Sequence, residues 1–137
     1  MLMEPIFDGM IVDRILKAFP EVWAIYRFGS AGTPFEHTGS DIDLAILLPR
    51  PIASVACWEL AQDLARQFKR DVDLVDLQSA SVVLRQQVFG HDRRIYCADR
   101  FRSEEFASRA LSDYVRLNEA RRNILGDIHE RGRIHAR

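Results

Sequence analysis

A strand–helix–strand unit over residues 42–77 constrains the fold most strongly. The runs "IDLAILL" (42–48) and "DVDLVDL" (71–77) are typical of strands, and between them apolar residues recur at helical spacing over 54–69. A helix that joins two neighbouring strands makes them parallel and gives a right-handed connection. The sequence therefore predicts an α/β fold built on a parallel pair of strands.

The flanking segments predict the rest of the architecture. Residues 22–28 form a predicted strand, and the turn-rich segment 30–40 can return the chain antiparallel to 42–48, which would make the sheet mixed. The remaining predicted elements are a helix over 9–19 capped by Asp8, a short helix capped by Ser79 and ending at Gly90, an edge strand over 93–97 and a long helix over 103–131. We expect an α/β (α+β) fold with a small mixed sheet of three to four strands, flanked by helices, and a long C-terminal helix.

The length of 137 residues indicates one domain, with a core at 1–100 and a C-terminal helix and basic tail at 101–137 packed on it. The net charge is −1, so no overall field points to nucleic acid or membrane. Residues 1–91 have eight Lys and Arg against twelve acids, whereas residues 92–137 have eleven Arg against eight acids. This asymmetry indicates either a phosphate or acidic partner near the tail, or a solvated helix face, and charge alone favours the second.

The N-terminus shows neither a basic segment nor the apolar run of a signal peptide. The longest apolar runs fall well short of the roughly 20 residues that a membrane helix needs. The sequence therefore predicts a cytoplasmic protein that does not bind membranes.

Three acidic residues lie at the starts of two predicted strands. Side chains alternate along a strand, so Asp41 and Asp43 share one face. Asp73 lies near the start of the neighbouring parallel strand, and the Gly29-Ser30 turn follows an antiparallel strand that ends at the same edge. We therefore expect three carboxylates and a Gly-Ser turn to converge at one end of the sheet.

Clustered carboxylates repel one another, and divalent cations relieve that repulsion. Carboxylate oxygens suit Mg²⁺, and two metal ions can clamp a displacement at phosphorus. Glycine allows close approach of the backbone to a phosphate. A Gly-Ser pair alone usually forms a turn, and Asp-x-Asp alone is usually a cap or surface pair. Their combination predicts nucleotidyl transfer from a nucleoside triphosphate.

The motif Gly29-Ser30, ten residues, then Asp41-Ile42-Asp43 resembles the minimal nucleotidyltransferases of the DNA polymerase β superfamily. The strand "DVDLVDL" is similar to that family's third-aspartate strand, which points to Asp73. Downstream, "ASVVLRQQVFGHDRRIYCAD" and "ALSDYVRLNEARRNIL" resemble the MntA-type antitoxins encoded beside HEPN-domain toxins. The resemblance spans nearly the whole chain.

The resemblance implies an adenylyltransferase that uses two Mg²⁺ ions and ATP to attach AMP to a tyrosine of a HEPN-domain RNase toxin, which silences the toxin. Asp41 and Asp43 would bind both metal ions, and Asp73 would complete the site and accept the proton of the attacking hydroxyl. The residues Gly29, Ser30 and Ser40 would bind the nucleotide. No direct contact with nucleic acid is expected.

One position departs from many relatives, which have a basic residue directly after Gly-Ser where this chain has Ala31. Arg27 lies on the preceding strand and is not expected to replace that residue. Two alternatives stay open: nucleotidyl transfer to a small-molecule hydroxyl, and an antitoxin that acts by binding and masking alone.

Overall fold

The computed structural model describes residues 3–29, 41–91 and 93–135. The described elements are the helices α1 (Met3–Ala18), α2 (Ser54–Phe68), α3 (Val82–Gly90) and α4 (Arg100–His135), and the strands β1 (Ala24–Phe28), β2 (Ile42–Leu47), β3 (Val72–Asp76) and β4 (Arg94–Cys97). Apart from the segment 30–40, which lies outside the described residues, each predicted element is present, and most bounds shift by only a few residues.

The four strands form one sheet in the order β3-β2-β1-β4. β1 is antiparallel to β2 and β4, whereas β2 and β3 are parallel. The predicted mixed sheet, the parallel pair and the position of β4 at an edge are confirmed. β2 lies in the centre, and its side chains are buried apart from half-buried Asp43, because helices cover both faces of the sheet.

The alternation of side chains along β2 divides the core into two layers. Ile42, Leu44 and Ile46 pack with Ile11 and Ile15 of α1 and with residues of α2. Ala45 and Leu47 face the other way, toward Val88 of α3 and Phe106 of α4. Asp43 has the parity of this second set, so its side chain lies on the face covered by α3 and α4.

Two predicted helix caps are wrong. Asp8 lies inside α1, which begins at Met3, and its Oδ1 accepts a hydrogen bond from Nη1 of the buried Arg27 at 2.7 Å. Ser81, two residues beyond the predicted Ser79, caps α3 and accepts a hydrogen bond from the amide of Leu84. Local sequence favours several polar residues as caps, and tertiary partners decide among them.

α4 is longer than predicted, and its far end does not pack on the sheet. Phe106 and Ala110 join the core, but Ile124, Leu125 and Ile128 are 58–65% exposed. A helix of 36 residues is about 54 Å long, far longer than a five-residue strand, so its second half extends past the sheet. None of the helices in the described ranges is both long and apolar enough to cross a membrane.

Candidate active site

The three aspartates singled out in the sequence lie at one end of the sheet, where β2 and β3 begin. Asp41 directly precedes β2, and Asp43 and Asp73 are the second residues of β2 and β3. Asp43 and Asp73 are partners in the parallel register, so their side chains share a face on strands about 4.8 Å apart. The aspartates therefore meet at the end of the sheet where β2 and β3 begin, as predicted, and their catalytic and metal-binding roles stay predictions.

Gly29 brings the backbone against the carboxylate of Asp43. Its φ is +71°, in the left-handed region that glycine adopts without strain. A Cβ atom at this position would lie 2.1 Å from Oδ2 of Asp43 and 3.0 Å from its Cγ. The adjacent Phe28 is the strand partner of Asp43, which fixes this approach. Ser30 and Ser40, the other two residues expected to bind the nucleotide, lie outside the described residues.

The environment of Asp43 opposes its negative charge. Burial raises the pKa of the Asp43 carboxyl above its ordinary value, and the carboxylates of Asp73 and Asp41 raise it further. The charge of His91 acts in the opposite direction and lowers this pKa. The carboxylates therefore lie close enough to repel one another through a partly desolvated site.

His91 is a neighbour of the site that the sequence analysis did not identify. It follows the last residue of α3, Gly90, and its Nδ1 lies 2.6 Å from the carbonyl oxygen of Gln87. The sequence does show that His91 follows a predicted helix. It does not show that this helix covers the face of the sheet that carries Asp43, because that depends on how the helix packs.

Asn in place of Asp43 should stabilise the protein against thermal unfolding near neutral pH in the absence of Mg²⁺. The folded-state pKa of Asp43 is raised above 3.8, so the folded state binds the proton more tightly. Stability from this group is therefore fully present below the unfolded pKa and is lost as the pH rises through the folded pKa. The gain in melting temperature should appear at about pH 7 and shrink toward about pH 3. A variant that is equally destabilised at both pH values would contradict this account.

The carboxylates of Asp41, Asp43 and Asp73 are suitable ligands for Mg²⁺, which prefers carboxylate oxygens. Over residues 3–29, 41–91 and 93–135, no three acidic, histidine or cysteine side chains already form a close metal-binding group. The fit therefore rests on the shared edge of Asp41, Asp43 and Asp73 and on the raised pKa of Asp43, since a bound cation offsets such repulsion.

The two other aspartates near β3 have different surroundings. Asp71 is exposed and precedes the strand, and its backbone oxygen accepts from the amide of Ile42. The carboxylate of Asp76 accepts from the amide of Ile52 at 2.9 Å, from the amide of Gln78 at 3.1 Å and from the hydroxyl of Ser79 at 2.9 Å. Asp76 therefore connects the loop before α2 to the turn after β3.

Ala in place of Asp76 should lower the stability of the fold. It removes the acceptor of two backbone amides and a hydroxyl in a half-buried region, a loss of about 1–3 kcal/mol. Urea unfolding with Asp71→Asn as the control would measure the effect. Equal midpoints for the two variants would contradict a structural role for Asp76.

Arg27 does not supply the basic residue that many relatives have at the position of Ala31. Its strand partner is Leu44, so its side chain lies on the face opposite Asp43. There it pairs with Asp8 and lies over the ring of Phe7, 5.6 Å from the centroid. The expectation that Arg27 cannot replace the missing residue agrees with this placement.

Comparison with known proteins identifies the family of this fold and site. The sequence profile of the polymerase beta nucleotidyltransferases matches residues 12–101. The protein adenylyltransferase MntA of Shewanella oneidensis is 37% identical to the chain over 126 residues, which cover 92% of this chain and 90% of that protein.

Two solved structures are similar over most of both chains. One is a toxin–antitoxin with AMP-PNP, with a TM-score of 0.78, 37% identity and coverage of 88% of this chain and 97% of that one. The other contains a tri-AMPylated Shewanella oneidensis HEPN toxin in complex with the MNT antitoxin, with a TM-score of 0.73, 36% identity and coverage of 88% and 94%. The chain therefore belongs to the polymerase beta nucleotidyltransferase family, in its MntA branch.

Proposed function

We propose that the protein is a cytoplasmic antitoxin that transfers AMP from ATP to a tyrosine hydroxyl of a HEPN-domain toxin and thereby neutralises it. The observation that supports this most directly is the register of Asp43 with Asp73, with the backbone of Gly29 against the Asp43 carboxylate. The similarity to an adenylyltransferase, and to complexes that contain AMP-PNP or an AMPylated toxin, gives the same chemistry and the same partner class.

The residues at this end of the sheet would bind different parts of the nucleotide and its metal ions. Gly29, together with Ser30 and Ser40, would hold the phosphates, because a bare backbone turn can approach them closely. Asp41, Asp43 and Asp73 would hold two Mg²⁺ ions. Such ions neutralise charge on the phosphates and on the departing pyrophosphate.

The reaction is a displacement at the α-phosphorus of ATP. The tyrosine oxygen forms a bond to that phosphorus, the bond to the pyrophosphate oxygen breaks, and pyrophosphate leaves with the electron pair. A tyrosine hydroxyl has a pKa of about 10, so its proton must be taken up as the bond forms. Asp73 would accept that proton, and Asp41 and Asp43 would fix the phosphate geometry, so most of the chain's contribution is positioning.

Incubation of the protein with labelled ATP, Mg²⁺ and its HEPN-domain partner tests the proposal. The partner should gain the mass of one or more AMP groups on tyrosine, lose its RNase activity and leave pyrophosphate in solution. Loss of RNase activity without a mass change would instead assign neutralisation to binding alone.

The exposed end of α4 is a candidate surface for binding the partner. Ile124, Leu125 and Ile128 lie beside Arg121 and Arg122, and all five side chains are exposed. An apolar and basic surface of this kind favours contact with an acidic partner surface in addition to catalysis. A solvated helix end is the alternative for the arginines.

Truncation after Gly126 should weaken binding of the toxin, and the loss should be larger at low salt than at high salt. The truncation removes Ile128 and the last arginines, and attraction between exposed charges is screened over roughly 8–10 Å at physiological ionic strength. The sheet and its covering helices lie upstream, so the unfolding transition should be retained. Calorimetric titration at two salt concentrations measures the effect. Full affinity at both concentrations would show that the arginines do not contact the partner and only keep the helix surface solvated.

A further inference from the structure

A cavity of about 350 Å³ adjoins the proposed catalytic edge. It lies between β3 and the first two turns of α2, and its lining includes Cys57, Trp58 and Gln62 of α2 and Val72 and Leu74 of β3. Asp73, the proposed proton acceptor, lines the same cavity. Its charge reaches the interior, because the Asp76 and Asp73 carboxylates add to the burial that raises the pKa of the Cys57 thiol. Strand alternation directs the Asp73 side chain to the face opposite α2, so the cavity reaches this residue around the outer edge of β3.

One wall of this cavity is an edge strand, whose outer side pairs with no other strand among the described residues. β3 is the end strand of the four-stranded sheet. The backbone oxygen of Asp71 and the amide of Leu77 bond to β2, so the odd-numbered residues direct their backbone groups inward. The alternate residues Val72, Leu74 and Asp76 direct theirs away from β2. The oxygen of Leu74 accepts from the thiol of Cys57 and that of Asp76 from the amide of Ser79, so the amides are the groups that pairing would use. An extended polypeptide segment can pair with such an edge through its own backbone.

The order of the strands gives the direction from which the acceptor must come. Across the sheet, Gly29 at the end of β1, Asp43 on β2 and Asp73 on β3 follow one another. If the phosphates lie against Gly29 and the α-phosphorus lies near Asp43, pyrophosphate departs on the β1 side. An in-line displacement places the attacking oxygen opposite the leaving group, which is the β3 side.

We propose that the groove between β3 and α2 binds the tyrosine-bearing segment of the protein substrate in an extended conformation, with Trp58 as its main side-chain contact. This inference rests on the proposed function and adds the surface that selects the acceptor. The segment lies along the free edge of β3, and its tyrosine hydroxyl reaches Asp73 from the side opposite the leaving pyrophosphate. The proton passes to the Asp73 carboxylate as the bond from oxygen to phosphorus forms.

Trp58 is suited to this contact. It lines the groove and is 63% exposed, so it contributes little to the core and offers a large apolar surface. Buried tryptophans are frequent anchors of protein–protein contacts. Val55, one turn earlier on α2, is 67% exposed and lies outside the groove lining, which makes it a matched control.

The test measures AMP transfer from ATP to the HEPN-domain partner as a function of the concentration of each. Trp58→Ala should raise the KM for the partner by about 30-fold and leave the KM for ATP within twofold. Trp58→Phe should restore most of the lost transfer, and Val55→Ala should behave as wild type. Thermal unfolding of all three variants confirms that they are folded.

Three outcomes of these kinetics are decisive against the groove. An unchanged KM for the partner in Trp58→Ala would overturn it. A raised KM for ATP with an unchanged KM for the partner would assign Trp58 to stacking on the nucleotide base instead. Absence of transfer by the wild-type chain would refute the proposed function, and the groove with it.

Amide hydrogen exchange tests the strand pairing itself. Binding of the partner should slow exchange at the amides of Val72, Leu74 and Asp76. An ATP analogue with a non-cleavable bridge between the α- and β-phosphates should leave these amides unchanged. Exchange at these amides that stays as fast in the complex as in the free protein would overturn the paired conformation.

Discussion

Asn in place of Asp43 should reduce AMP transfer by about a thousandfold or more while the chain stays folded. Asp43 is the register partner of Asp73 and follows Asp41 by two residues, with the Gly29 backbone against its carboxylate. An amide retains the shape of the side chain but removes the charge that would hold the cations and orient the phosphates. Asp41→Asn should give a similar loss, because its side chain lies on the same face two residues earlier.

The measurement is incorporation of AMP from labelled ATP into the partner at saturating Mg²⁺, with thermal unfolding in parallel. Asp13→Asn is a matched control, since Asp13 is an exposed acid on α1, away from the sheet edge. Transfer near the wild-type rate by either Asp41→Asn or Asp43→Asn would refute a role for these acids in metal binding.

Asn in place of Asp73 should lower AMP transfer by about a hundredfold or more, whereas the same change at Asp71 should leave it close to wild type. Both acids have the same parity, but only Asp73 is the register partner of Asp43. Asp71 lies before β3, and its backbone oxygen bonds to Ile42. The change would remove both a proposed cation ligand and the proposed acceptor of the tyrosine proton.

The pH dependence of transfer separates these two parts of the role of Asp73. If the residue accepts the proton, the residual activity of Asp73→Asn should increase with pH as the tyrosine of the substrate ionises without help. A severe loss of transfer in Asp71→Asn, with transfer near the wild-type rate in Asp73→Asn, would show that the catalytic acid lies two residues earlier than proposed.

The sequence by itself determined the parallel unit and the grouping of the acids. The apolar runs at 42–48 and 71–77, with a helical stripe between them, permit a right-handed parallel crossover and little else. The spacing of Asp41 and Asp43 places both on one face because side chains alternate along a strand. Gly29-Ser30 and the Asp-x-Asp motif also indicated the family, which comparison with known proteins confirmed.

Tertiary structure decided what depends on which elements meet. The pairing of Asp73 with Asp43 depends on the register of β3 against β2. A short apolar strand can pair in several registers until the helix that connects it packs on the sheet. Asp8 could cap a helix by its local sequence, but in the structure α1 begins five residues earlier and Asp8 pairs with the buried guanidinium of Arg27. The free edge of β3 beside Trp58, and the exposed end of α4, follow from strand order and helix length relative to the sheet. Periodicity records which face of an element is apolar, whereas only packing determines what lies against that face.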